Sequence, residues 1–290
     1  MTVARQVIND ELRRWIVAQA EAGCRPDDVL DAMRASGWEE RVARAALAQT
    51  LRPRPARQHA GRGAGAAAPA IAARVPGPEL QDAPTVLRAA DREVHVLVTL
   101  QRPRVVVFGG LLSDEECSAL MDLAAPRLLR SETVDNATGG SEVNAARTSD
   151  GMFFERGEAP LIATIEQRIA ELLCWPVENG EGLQILRYRP GAEYRPHHDY
   201  FDPQHAGTAR ILERGGQRVG TLVVYLNTPQ GGGATTFPDV GLEVAPVRGN
   251  AVFFSYDRAH PDTRTLHGGA PVTAGEKWVA TKWLREGVFT

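Results

Sequence analysis

The stretch LQILRYRPGAEYRPHHDYFDP, residues 183–203, decides how the rest of the chain is read. It opens on a β-rich run, breaks at Pro190-Gly191 and resumes toward His197-His198-Asp199. Residues two apart on a strand point to the same side, so His197 and Asp199 can converge on one metal ion while His198 faces away. Two imidazoles and one carboxylate on one face of an ion leave its opposite positions open, which is the coordination used by non-haem Fe(II) oxygenases. A His-x-Asp triplet alone arises by chance in many proteins. The segment TRTLHGGAPVTAGEKWVATKWLRE (263–286) adds what it lacks: His267 offers a third ligand, and Lys277 follows ten residues later on another β-rich run. His260 competes for the third position, but the step to Lys277 favours His267. A cation near the metal suits a dicarboxylate. 2-Oxoglutarate would chelate iron through its 1-carboxylate and 2-keto oxygens and pair its far carboxylate with Lys277, because a buried lysine is tolerated with a fixed anionic partner and costly without one.

Around this segment the pattern is that of an α+β protein. VHVLVTL (94–100) and RVVVFGG (104–110) are β-rich, and SDEECSALMDLAAPRLL opens on a Ser113/Glu116 capping box that predicts a helix. APLIATIEQRIAELL (159–173) is a second amphipathic helix, and LQILRYRP, GTLVVYLN, NAVFFSY and KWVATKWL are short strands between Gly/Pro turns. Helices followed by many short strands predict an antiparallel β core closed as a sandwich or barrel. Gly231-Gly232-Gly233 reads as a turn without the lysine and helix of a phosphate loop. Asp239 and Glu243 read as loop charges.

Residues 1–51 read as a small three-helix domain, with Ile8, Leu12, Trp15 and Ile16 on one helical face, a stop at Gly23, a second helix from Pro26-Asp27 and an SGW turn at 36–38. Residues 52–84, rich in Ala, Pro, Gly and Arg, have no hydrophobic period and read as a linker, which leaves 85–290 as the catalytic domain. The net charge of −3 makes no electrostatic case for nucleic acid. No stretch approaches the ~20 apolar residues of a membrane span, and MTVARQVINDELRRWI lacks the apolar run of a signal peptide. Cys24, Cys117 and Cys174 are scattered and odd in number, which predicts no zinc site or disulfide and a cytoplasmic setting, with Cys117 and Cys174 as small core residues.

The segments LRYRPGAEYRPHHDYF, GGQRVGTLVVYLN, GGGATTFPDVGLEVAPVRGNAVFF and LHGGAPVTAGEKWVATKWL resemble, in order and spacing, the catalytic domain of prolyl 4-hydroxylases. The resemblance implies a double-stranded β-helix, a form of jelly roll, with supporting helices. It implies Fe(2+), 2-oxoglutarate and L-ascorbate (vitamin C), and a proline-containing peptide or protein as substrate. Carried over by position, His197, Asp199 and His267 match the iron ligands and Lys277 the lysine for the far carboxylate of 2-oxoglutarate. Tyr188, Thr235 and Trp283 match residues lining that pocket. Tyr194 and Arg218 match positions near the peptide, and Arg147-Thr148-Ser149 resembles the RTS segment of a loop, here about 131–151, that closes over it. Arg285 stands where the family often has a histidine, and GGAT (232–235) where it usually has GGET, so the peptide groove differs from the family pattern. The N-terminal helices resemble ubiquitin-associated-like domains and imply a partner protein. The alternatives are a hydroxylase of a free amino acid or other small molecule, an interaction protein with a passive β domain, and a cupin-like isomerase or zinc hydrolase.

Overall fold

Arg104–Gly109 reads RVVVFG because both of its faces are covered. In this computed structural model Val105 and Val107 pack on one side with Phe237 and Val244, while Val106 and Phe108 pack on the other with Cys117 and Leu120 of a helix. A strand buried on both sides loses the apolar/polar alternation of a half-exposed one. The structure describes residues 75–131, 133–134, 141–142, 147–205 and 207–290, and, nearer the N-terminus, residues 12, 16, 29–30, 33–34 and 38–50.

Contacts divide the chain into two units, Met1–Ala66 and Ala67–Thr290. In the larger unit nine antiparallel strands run in the order Val86–Ala89, Arg92–Leu100, Arg104–Gly109, Ala251–Ser255, Arg218–Tyr225, Lys277–Arg285, Leu183–Tyr188, Asp150–Phe154 and Leu129–Arg130. A four-stranded sheet, Leu242–Val244, Thr235–Phe237, His267–Gly269 and Tyr194–His197, supplies Phe237 and Val244 to the core it shares with the larger sheet. Two antiparallel sheets with strands passing between them fit a jelly roll, and the other face of the large sheet carries the helices Asp114–Ala124 and Pro160–Leu172.

The capping box expected at Ser113 is present, with Ser113 Oγ accepting from the Glu116 amide at 3.1 Å and Glu116 accepting from the Ser113 amide at 2.8 Å. Glu116 also binds Arg168 of the second helix, and Arg168, 1% exposed, reaches Asp91 and the Leu111 carbonyl as well. Cys117 is in the core as expected, but Cys174 is exposed. It follows the helix Pro160–Leu172 in a left-handed conformation, φ 50°, a place where a chain leaves a helix rather than packs. The expected linker is shorter at its C-terminal end: Val75 and Leu80 pack against the helix-side core, and the Gly77 amide donates to the Leu173 carbonyl.

In the N-terminal unit, Leu12, Ile16, Val29, Leu30 and Met33 share a buried cluster with Ala43, Ala46 and Leu47 of the helix Glu40–Thr50, and Trp38 packs against it. The Trp38 amide donates to the Met33 carbonyl; Ser36 and Gly37 of the expected turn lie outside the described residues. Ile8, Trp15, Gly23, Cys24, Pro26, Asp27, His59 and residues 52–74 lie outside the described residues.

Candidate metal and co-substrate site

His197 ends the strand Tyr194–His197, and His267 begins the strand His267–Gly269; the two are paired across the small sheet. The chain between these partners is long, but the register makes them neighbours, with ring centroids 4.4 Å apart. Asp199 is not on the strand, as the alternation argument had it. It lies in the bend just after His197, and the bend delivers its carboxylate to both rings: Oδ1 is 3.4 Å from His197 Nε2 and Oδ2 is 3.4 Å from His267 Nε2. Ligand atoms of all three residues lie within 4.8 Å of one another. Gly268 permits this approach, since a Cβ there would sit 2.8 Å from the Tyr194 carbonyl oxygen and 3.1 Å from Pro196 N.

Both imidazoles are fixed in one tautomer. His197 Nδ1 lies 2.9 Å from the Arg195 carbonyl and His267 Nδ1 lies 2.9 Å from the Thr265 carbonyl. A carbonyl only accepts, so each Nδ1 carries the proton and each Nε2 keeps its lone pair for a metal. Burial, reinforced by the nearby His267, holds the His197 ring below its ordinary value and therefore neutral. Burial alone would raise the Asp199 carboxyl, but the His267 and His197 rings outweigh it and hold the acid well below its usual range. A neutral His197 and an ionised Asp199 are the forms that ligate a divalent ion.

Lys277 opens the last strand opposite Tyr188. The residue is 4% exposed, and burial alone pushes its ammonium down to about 8. Among the described residues no carboxylate lies within ion-pair distance of it; its neighbours are the Tyr188 ring at 5.5 Å and the Tyr225 ring at 5.8 Å. One cavity is lined by Lys277, His197, Asp199 and His267 together, with Tyr188, Thr235, Trp283, Tyr194 and Arg147. Tyr225 donates to Thr235 Oγ1 at 2.8 Å, so the Thr235 proton is left for another acceptor. A buried cation facing an open cavity needs an anion, and three convergent N/O donors need a metal. The residues therefore fit Fe(II) with a keto-diacid.

Tyr194 stacks on the His197 ring with centroids 3.7 Å apart, and Arg147 lies 5.3 Å from the Tyr194 ring centre. Two residues expected near the peptide are not in the lining. Arg218 is bound by Glu181 through two contacts, at 2.7 and 2.8 Å, and its guanidinium is 4.0 Å from the Trp283 ring centre. Ser149 is buried and donates to Ser131 Oγ at 2.9 Å. Arg285 is buried too, donating to Glu181 and to the Gly216 carbonyl. Much of the expected closing loop, residues 132, 135–140 and 143–146, lies outside the described residues. His198 stacks on Tyr200, and His260 is exposed at the start of a short 3-10 turn.

Glu181, Thr221, Tyr225 and Tyr256 were missed from sequence. The signal for Thr221 and Tyr225 was present: each is a polar group inside the apolar run GTLVVYL.

Residues 183–285 match the family model of the 2OG-Fe(II) oxygenase superfamily. Prolyl 4-hydroxylase 5 of Arabidopsis thaliana is 40% identical over 213 residues, covering 66% of this chain and 72% of that protein. Prolyl 4-hydroxylase 1 of the same plant is 44% identical over 202 residues, covering 63% and 69%. The chain belongs to the prolyl 4-hydroxylase family. It is a 2-oxoglutarate-dependent dioxygenase. Among solved structures, the viral collagen prolyl hydroxylase of Paramecium Bursaria Chlorella virus-1, in its 2OG complex, is similar at 32% identity and TM-score 0.48, covering 62% of this chain and 95% of that one.

Proposed function

We propose that this prolyl 4-hydroxylase relative hydroxylates a prolyl residue in a peptide or protein, consuming O2 and 2-oxoglutarate and releasing succinate and CO2. The observation that carries the reading is the buried Lys277 ammonium, with no carboxylate beside it among the described residues, in the same cavity as the His197/Asp199/His267 trio. His197, Asp199 and His267 hold Fe(II); Lys277 and Thr235 hold the far carboxylate of 2-oxoglutarate, with Tyr188 as a wall. When bound, the ferrous ion couples oxidative decarboxylation of the keto-acid to insertion of oxygen into a C–H bond.

The protein's part is to orient and to exclude water. Leu186, Val223 and Val279 supply apolar lining around the co-substrate. Tyr194, Arg147 and Trp283 line the same cavity and offer aromatic faces and a cation to an extended proline-containing segment. Relatives such as prolyl 4-hydroxylase 5 support proline as the target. Incubation with Fe(II), 2-oxoglutarate and proline-rich peptides tests this: a peptide heavier by one oxygen and matched succinate release are expected, and succinate release with every peptide unchanged would count against it.

Ascorbate serves as the reductant that keeps the iron ferrous, so turnover without it slows progressively within a run. The N-terminal unit is a ubiquitin-associated-like module that binds a partner protein, supported by its cluster of Leu12, Ile16, Met33 and Leu47 with Trp38 packed against it; removing residues 1–66 is expected to leave turnover of short peptides intact. The protein works in the cytoplasm, a setting supported by its few, scattered cysteines; fractionation of the producing cell checks it. Among the described residues no helix is long and apolar enough to cross a membrane.

A further inference from the structure

Thr221, which lines the cavity beside the trio, joins Asp199 to a further buried hydroxyl, that of Tyr256. Thr221 Oγ1 donates to Asp199 Oδ2 at 2.7 Å, and the Tyr256 hydroxyl lies 3.1 Å from the same Thr221 oxygen. A carboxylate only accepts, so the single Thr221 proton is committed to Asp199, and Tyr256 must be the donor to Thr221. Thr221 is wholly buried and Tyr256 3% exposed, so water does not compete for either bond. Burial first, and the nearby Asp199 charge next, keep the Tyr256 phenol protonated at any working pH.

The backbone is built to make this contact. Tyr256 immediately follows the strand Ala251–Ser255, and its amide donates to the Val219 carbonyl at 3.1 Å, two residues before Thr221. On the strand that carries Thr221, Arg218–Tyr225, Arg218 Nη1 reaches the Asp199 carbonyl at 3.5 Å. Residues three apart on a regular strand face opposite sides. The register shift between Arg218 and Gly220 breaks that alternation, so Arg218 and Thr221 both reach Asp199. Aromatic packing continues the support: Tyr256 meets Phe254, whose ring lies 4.4 Å from His267.

We propose that Thr221 and Tyr256 form a positioning relay that ties down Asp199 Oδ2 and presents Oδ1 as the single oxygen ligand. The proposal rests on the metal reading above and deepens it. A carboxylate free to turn could offer both oxygens and fill a position that co-substrate or O2 requires; one whose Oδ2 already accepts from a buried donor is held against turning and has one lone pair fewer to offer there, which favours ligation through Oδ1.

The test measures metal binding, not turnover. Mn(II) affinity and the ligand-field spectrum of the Co(II) form are recorded for the full chain and for Thr221→Val, Thr221→Ser and Tyr256→Phe. Thr221→Val is expected to weaken Mn(II) binding about 10- to 100-fold and to shift the Co(II) bands. Thr221→Ser keeps the hydroxyl and should stay within about twofold of the parent, while Tyr256→Phe should lose roughly three- to tenfold. Parent affinity and an unchanged spectrum in Thr221→Val overturn the relay, as does a Thr221→Ser variant impaired as badly as Thr221→Val. If Thr221→Val does not fold, Tyr256→Phe decides, and parent affinity there overturns the proposal. A parent protein that binds neither ion overturns the metal reading itself, which separates that failure from failure of the relay alone.

Discussion

Lys277 Nζ lies 5.5 Å from the centre of the Tyr188 ring, held there by a backbone pair that joins the last strand to Leu183–Tyr188. The pair fixes a buried cation against an aromatic wall, and among the described residues no carboxylate stands within ion-pair distance of it.

The first expectation concerns pH. The Lys277 ammonium falls from 10.5 to about 8 on burial. Its folded value is depressed, so the charged form destabilises the co-substrate-free fold below pH 8, and the penalty is relieved as pH rises from there toward 10.5. The far carboxylate of 2-oxoglutarate favours the charged form and raises the value again. Binding should therefore take up about half a proton per site near pH 8 and weaken as pH rises further. Calorimetry in two buffers of different ionisation heat reads the uptake directly; a heat independent of buffer would rule it out.

Replacing the cation separates its two effects. Lys277→Met removes a buried charge that has no partner until co-substrate arrives. The co-substrate-free protein should become more stable in urea at pH 7, by roughly 1–3 kcal/mol, while Mn(II) binding persists and 2-oxoglutarate affinity falls about 100-fold or more. Retention of normal 2-oxoglutarate affinity would mean that another group grips the dicarboxylate.

Gly268→Ala tests whether strand approach makes the metal centre. The added Cβ would stand 2.8 Å from the Tyr194 carbonyl oxygen, and backbone cannot swing aside as a side-chain tip can. The strands bearing His197 and His267 must part. Mn(II) affinity should drop about tenfold or more, with only a modest loss of thermal stability; undiminished binding would show that the trio tolerates the wider spacing.

Arg168→Met probes the scaffold away from the site. The guanidinium bridges Asp91, the Glu116 carboxylate that also caps a helix, and the Leu111 carbonyl. Its loss leaves the half-buried Glu116 charge without its main partner, at a cost of about 3–5 kcal/mol for a buried pair and less for the exposed Asp91 arm. Urea denaturation should show a lower midpoint, and 2-oxoglutarate affinity of the surviving folded protein should not change.

His197, Asp199, His267 and Lys277 were legible as candidates because their residue types and spacing suit a metal and a dicarboxylate, and the fold brings all four to one cavity. The Ser113 helix start was equally legible, since a capping box is a contact between residues three apart. What sequence could not supply depended on groups distant along the chain meeting in space. Asp199 reaches the metal position through a bend rather than along a strand. Arg218, which resembles a peptide-binding position, is turned to Glu181, and Arg285 shares that carboxylate. Thr221 meets Asp199 beside a register shift in its strand, and Tyr256 meets Thr221 because the adjoining strand sets it alongside. Local pattern determines which chemistry is available. The choice of which oxygen, tautomer or cation faces the cavity was made by strand register and packing, which no single segment encodes.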